Sequence, residues 1–441
     1  MRNIARRVRY GLSSMPKPFY QYGGMGFLYW AAMAAASFTT VFLQGLNFTA
    51  MQIGTMSAAF MTINIVAPPL WGIVSDKLRS VKKVFAICVA ASAVFWFILP
   101  HSVRWFSPLA VLLILPLNRF VSSPTMALLD SWIVRHVNSD RRIGFGPIRL
   151  CGSVGFCIVA FIYGIVLEKM PIDIIFYGFA LFAIPCVILA LRIKEDEGGI
   201  ARRPISLREM QVGRIIKSKP LMAYLLFNLT LYTPVMATFT FMPYLIQEVG
   251  GPNTFVGVTL SVEALFEIIM LFFSAHLIKR FKITRIIIFV GLLYTAEVAL
   301  YSVCGAPWHV LLVKAMHGLG YGMYLSCTVQ YIYRLAQKGL AATAQTFASC
   351  SSAIAGIIGN FVGGAVINTL GAGAFFGYSS IFMVFVVAAY AIWLRLQKDQ
   401  NDQGEHQNQN DQDDHNDHSD QDDHNDHSDQ NNHNDAPAAL T

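Results

Sequence analysis

What this sequence has least of is charge: Asp, Glu, Lys and Arg make up 13% of its 441 residues, against about 25% in soluble chains. With 55% hydrophobic residues, the shortage excludes an ordinary soluble domain and points to a bilayer. Acidic residues are scarcer still in the body of the chain. Of the 26, 13 stand at or beyond Asp399, so residues 1–398 hold all 33 Lys and Arg against 13 acidic side chains. Cysteine is sparse and unpatterned. Cys88, Cys151, Cys157, Cys186, Cys304, Cys327 and Cys350 show no CxxC and no metal spacing, so they read as small apolar helix residues rather than a disulfide framework or metal site. A glycine-rich phosphate loop is missing, which excludes an ATP-driven pump. No nucleophile–base constellation stands out, so no catalytic residues are expected and no enzyme. The start, "MRNIARRVRYGLSS", is too basic and too long before its first apolar run for a cleaved signal.

What is present is a series of apolar runs of about 20 residues, the length that spans a bilayer. Twelve begin near residues 19, 55, 83, 108, 147, 172, 221, 253, 284, 308, 341 and 372. The longest internal polar stretch, 192–220, separates the sixth from the seventh. The expected organisation is an N-terminal segment (1–18), a six-helix half (19–192), a linker (193–220), a second six-helix half (221–395) and a polar tail (396–441). The basic residues sit in short clusters between the runs, a pattern of multi-pass membrane proteins rather than nucleic-acid binders. Placing both termini in the cytoplasm puts 29 of the 33 Lys and Arg inside, as the positive-inside rule requires. The stretches "GIVSDKLRSVKKVFAI" (72–87) and "SAHLIKRFKITRIIIF" (274–289) both close an even-numbered run, turn through a basic loop and enter the next. They stand at equivalent places in the two halves, as parallel repeats do.

Gly72, Asp76 and Arg79 in "GIVSDKLR" resemble the loop signature of the major facilitator superfamily. The second copy departs from it, with Ile278 where the aspartate would fall. A finer resemblance covers residues 20–395. "RIGFGPIRLCGSVGF" (142–156), "KAMHGLGYG" (314–322) and "AGIIGNFVGG" (355–364) are similar to stretches of a subgroup with phenylpropionate permease-like and nucleoside–proton symporter-like members, related to lactose permease. Cys151 stands where that subgroup has an aromatic residue. The resemblance implies an all-α, twelve-helix major facilitator fold in which spans one, four, seven and ten line a central cavity. Drug–proton antiporters of the superfamily carry a Gly-Pro motif in span five. "CGSVGFCIVAFIYG" (151–164) has no proline, which weighs against drug export.

Six ionisable residues fall within spans: Arg119, Glu263, Glu267, Glu297, Lys314 and His317. At a rise of ~1.5 Å per residue, Arg119, Glu263 and His317 lie roughly 14–16 Å deep. Such groups cost a few kcal/mol each unless they face water or one another. Arg119, Lys314 and His317 are expected to bind solute with Asn228 and Tyr232; packing by ion pair or hydrogen bond is the plainer alternative for each. Glu263 and Glu267, i and i+4, share a helix face. Two carboxylates together where water is scarce are not easily both ionised, which makes them the expected proton-coupling site with His317, and Glu297 a further candidate. Asp130 and Asp76 lie near span ends and are expected to hold interhelical or loop contacts.

The tail repeats "DQDDHNDHS" in tandem (411–428) and carries six of the 11 histidines. It lacks large apolar side chains to build a core; a tolerated repeat is favoured over weak metal binding. The expected function is proton-driven import of a small polar or anionic organic solute by a monomer in a plasma or inner membrane, needing no cofactor. A drug–proton antiporter and a non-transporting solute sensor are the alternatives.

Overall fold

The computed structural model describes residues 16–139, 145–193, 212–336 and 340–397. Most of the expected N-terminal segment, linker and tail lie outside these residues. Among the described residues the regular elements are helices.

Twelve long helices follow one another among the described residues: α1 (Lys17–Gly45), α2 (Ala50–Leu78), α3 (Val81–Trp105), α4 (Pro108–Val137), α5 (Gly146–Val166), α6 (Asp173–Arg192), α7 (Lys219–Glu248), α8 (Thr254–Arg280), α9 (Ile283–Ser302), α10 (Pro307–Leu335), α11 (Thr343–Leu370) and α12 (Ala372–Gln397). Each begins within five residues of the place expected from the sequence. Eleven are long and apolar enough to cross a membrane; α10 has the length, 29 residues, but not the apolar composition. It carries the buried Lys314 and His317, and glycines where longer side chains would raise its hydropathy.

Helix ends follow local chemistry. Thr49 and Gln52 form a reciprocal capping box at the start of α2. Arg79 ends α2 in the left-handed conformation, φ 49°, an uncommon conformation for a residue with a Cβ. In α1 the helix is interrupted between Ala36 and Thr39.

The packing repeats between halves. α1 packs on α5 and α7 on α11; α8 lies along α10, and α2 contacts α4. The helix pairs that join one half to the other, α2 with α11 and α8 with α5, exchange under the same correspondence. Both crossings depend on glycine. A Cβ on Gly54 would collide with the carbonyl of Asn360 and lie 2.9 Å from Cα of Gly364; one on Gly257 would lie 2.5 Å from the Ala160 carbonyl and 2.6 Å from Cα of Gly164. These four glycines sit near helix ends joined by the 46–49, 167–172, 249–253 and 371 connections, so the halves close on the face opposite the start of α1. Gln44 and Gln247 bridge the same face through paired amides at 3.1 and 3.2 Å.

By compactness the chain divides after Val387. The first unit holds α1 to α11 and the beginning of α12. The second, from Ala388, holds the end of α12, where the Tyr390 and Trp393 rings stack at 5.8 Å.

Candidate functional site

The ionisable residues of α10 are one turn apart, and the residue after His317 is Gly318. A Cβ there would collide with the Glu263 carbonyl, and one on Gly322, a further turn on, would lie 3.0 Å from the Glu267 carbonyl. Glycine at i and i+4 therefore lets α8 lie directly against α10 and brings its carboxylates within reach of the α10 cations. Lys314 Nζ donates to Glu263 Oε2 at 2.7 Å. His317 Nε2 lies 3.5 Å from Glu263 Oε1. The other ring nitrogen, Nδ1, is 2.7 Å from Oε1 of Glu297 on α9.

Four ionisable side chains from three helices thus form a chain, Lys314–Glu263–His317–Glu297. Lys314 is 1% exposed, His317 0%, Glu297 1% and Glu263 8%. Aromatic rings enclose them. Phe239 of α7 lies edge-on to His317 at 5.0 Å and under the Lys314 ammonium at 4.9 Å. Tyr321 stacks on His317 from the next turn, 6.2 Å away. Two polar atoms of the cluster make no hydrogen bond, Glu297 Oε2 and His317 Nε2, the latter standing within ion-pair distance of Glu263.

Glu263 and Glu267 stand one turn apart on α8, as their spacing implied, but they have different surroundings. Glu263 turns to Lys314, while Glu267 is half-buried and makes no hydrogen bond or ion pair among the described residues. The second carboxylate of the cluster is Glu297, because α10 packs against α9 as well as α8. Lys314 and His317, expected to line a polar binding cavity, are here sealed, each beside a carboxylate. Asn228 and Tyr232 are also sealed, at 2% and 3% exposure. Tyr324 Oη donates to Asn228 Oδ1 at 2.6 Å, and Asn228 Nδ2 donates to Ser352 Oγ at 3.1 Å. Tyr232 stacks on Tyr324 at 4.7 Å.

In the first half, Arg119 donates through Nε to Asn64 Oδ1 of α2 at 2.8 Å. Arg149, which sequence reasoning passed over, lies over the Trp30 ring at 4.3 Å and reaches Ser153 Oγ at 3.4 Å. The signal for it was its place inside the 142–156 stretch. Asn64 carried no signal at all. Of the loop residues, Asp76 is exposed, Gly72 has open space where a Cβ would go, and Arg79 serves as the α2 cap.

Twelve membrane-length helices in two six-helix halves, closed on one face and enclosing buried charges, define a major facilitator transporter. Residues 19–378 match the MFS_1 like family, and the chain belongs to it. The maltose permease of Geobacillus stearothermophilus is 26% identical over 358 residues, covering 80% of this chain and 88% of the permease. The nucleoside permease NupG of Escherichia coli is 21% identical over 371 residues, covering 79% and 87%. The crystal structure of the nucleoside transporter NupG superposes with a TM-score of 0.72 at 17% identity, over 86% of this chain and 99% of that one; a single-residue mutant of it gives 0.75 at 18%, over 85% and 99%. The protein is a multi-pass membrane protein and a secondary transporter of small molecules, not an enzyme.

Proposed function

We propose that the protein couples the import of a small polar or anionic organic solute to proton entry, acting as a monomer with both termini in the cytoplasm. The two halves, 19–192 and 221–395, rock about a site between them while the 193–220 linker joins them, so that the site opens to either face in turn.

The observation that carries the reading is the buried chain Lys314–Glu263–His317–Glu297. With His317 protonated, two positive and two negative charges cancel. Loss of that proton leaves one negative charge uncompensated in a site sealed from water, where an unpaired ion costs several kcal/mol. Proton release therefore favours a state in which the site is wetted or a new partner arrives. That difference between states is what coupling requires. Glu267, one turn along α8 and unpaired, extends the same face toward the start of α5.

The test is solute-dependent proton movement into proteoliposomes containing a trapped pH-sensitive dye, with maltose, uridine, glucuronate and galacturonate as probes. The expected result is internal acidification with a transported probe, lost in His317→Gln and Glu297→Gln. Probe entry without any proton movement contradicts coupling, and binding without entry identifies a sensor instead.

A further inference from the structure

We infer that Arg119 is the anchor for the solute, and that the solute is an organic acid whose carboxylate pairs end-on with the guanidinium. This rests on the transporter reading above and narrows its substrate class.

Arg119 lies near the middle of the bilayer, ~16 Å along α4 from Pro108. Its side chain makes one hydrogen bond among the described residues, from Nε to Asn64 Oδ1. None of the described carboxylates stands within ion-pair distance of it, whereas Lys314 has one and His317 two. An ionisable side chain inside a membrane pairs with another, faces a water-filled cavity, or marks a functional site. Neither Nη atom is among the sealed, partnerless polar atoms. The end of the fork is therefore not completely sealed.

The direction of that opening follows from Asn64. Its amide reaches Met61 Sδ, 3.7 Å away and one turn earlier on α2. Met61 in turn lies against Gly356 of α11, where a Cβ would meet its Cγ at 3.0 Å and Cγ of Met236 on α7 at 3.7 Å. This face of α2 looks toward the second half rather than toward lipid. Asn64 ties the Nε edge of the guanidinium on that face and leaves Nη1 and Nη2 side by side. Two parallel N–H donors match the two oxygens of a carboxylate, a geometry that lysine cannot reproduce. The second-half cluster balances its own charges when His317 is protonated, so Arg119 is left as a cation that the protein itself does not neutralise. A solute anion supplies the missing charge without competing for the coupling proton.

The experiment measures binding to purified full-length protein by thermal stabilisation, using acids against their neutral counterparts: glucuronate and glucose, galacturonate and galactose, benzoate and benzyl alcohol, lactate and glycerol. At least one acid is expected to stabilise the protein where its counterpart does not. Arg119→Gln should weaken that acid at least about tenfold, the loss of a charge-assisted pair, and Arg119→Lys should recover only part of it. Size-exclusion profiles and thermal midpoints without ligand confirm that the variants fold. A panel in which no acid binds better than its neutral counterpart overturns the inference. So does recovery of acid binding by adding Glu267→Gln to Arg119→Gln, which would make the arginine that glutamate's partner in another state. Counterflow of maltose or uridine by the same preparation, unaffected by Arg119→Gln, would retain the transporter reading while discarding the acid.

Discussion

A lysine with 1% exposure in the middle of a membrane helix is tolerable only beside a carboxylate, and Glu263 is that carboxylate. Breaking a buried pair from one side costs about 3–5 kcal/mol, because the other charge remains. Lys314→Met should therefore lower the thermal midpoint of the purified protein sharply, and Lys314→Met with Glu263→Gln should recover most of the loss. A double variant no more stable than Lys314→Met would make the pair incidental. Lys314, His317 and Glu263 were legible in the sequence because each interrupts an apolar run. Their partners were less so. Spacing along one helix gives which residues share a face, which is why Glu263 and Glu267 were read together; it does not give the rotation of that face relative to α10. Glu297 was visible as a charge, but its place beside His317 depends on how α9 packs on α10. Asn64 is an ordinary polar residue until Arg119 is beside it.

At the scale of helices, the site exists because α8 and α10 approach closely, and Gly318 is where they touch. Any side chain there collides with the Glu263 backbone. Gly318→Leu is expected to lower the thermal midpoint and abolish proton-coupled uptake together. Gly72→Ala serves as the contrast, since a Cβ there meets nothing within 4 Å; it should leave the midpoint unchanged or raise it slightly, alanine being favoured over glycine in helices by up to about 1 kcal/mol. Equal effects of the two substitutions would remove the close approach as the reason for glycine at 318. The glycines of "KAMHGLGYG" were plain in the sequence, but which of them meets another backbone was not.

Across the whole molecule, the crossings at Gly54 with Gly364 and Gly164 with Gly257 hold the halves together on the face opposite the start of α1. Gly54→Trp with Gly257→Trp should prevent that closure. A reporter cysteine replacing Asn64, in a background without other cysteines, should then react faster with a membrane-impermeant reagent applied from that face; an unchanged rate would mean that the crossings do not gate access. Orientation is tested separately in sealed cells. Reporter cysteines in the 249–252 loop and near residue 205 should label from opposite sides, the loop from outside, and labelling of both from outside would reverse the proposed topology. The twelve helices and their order were legible because hydropathy and length decide them helix by helix. The state of the molecule was not, since it depends on contacts between helices distant in sequence.

The central claim is that the buried cluster couples the proton to solute movement. Its most direct test compares exchange with accumulation in proteoliposomes, for the wild type, Glu263→Gln, Glu267→Gln and Glu297→Gln, using the panel solute that stabilises the protein. A variant that has lost the coupling proton still rocks between states and exchanges solute, but no longer gains from a pH gradient. The account predicts that Glu297→Gln keeps counterflow near the wild-type rate and loses pH-driven accumulation. If Glu297→Gln and Glu263→Gln both accumulate solute on an imposed pH gradient as well as the wild type does, the coupling site is elsewhere.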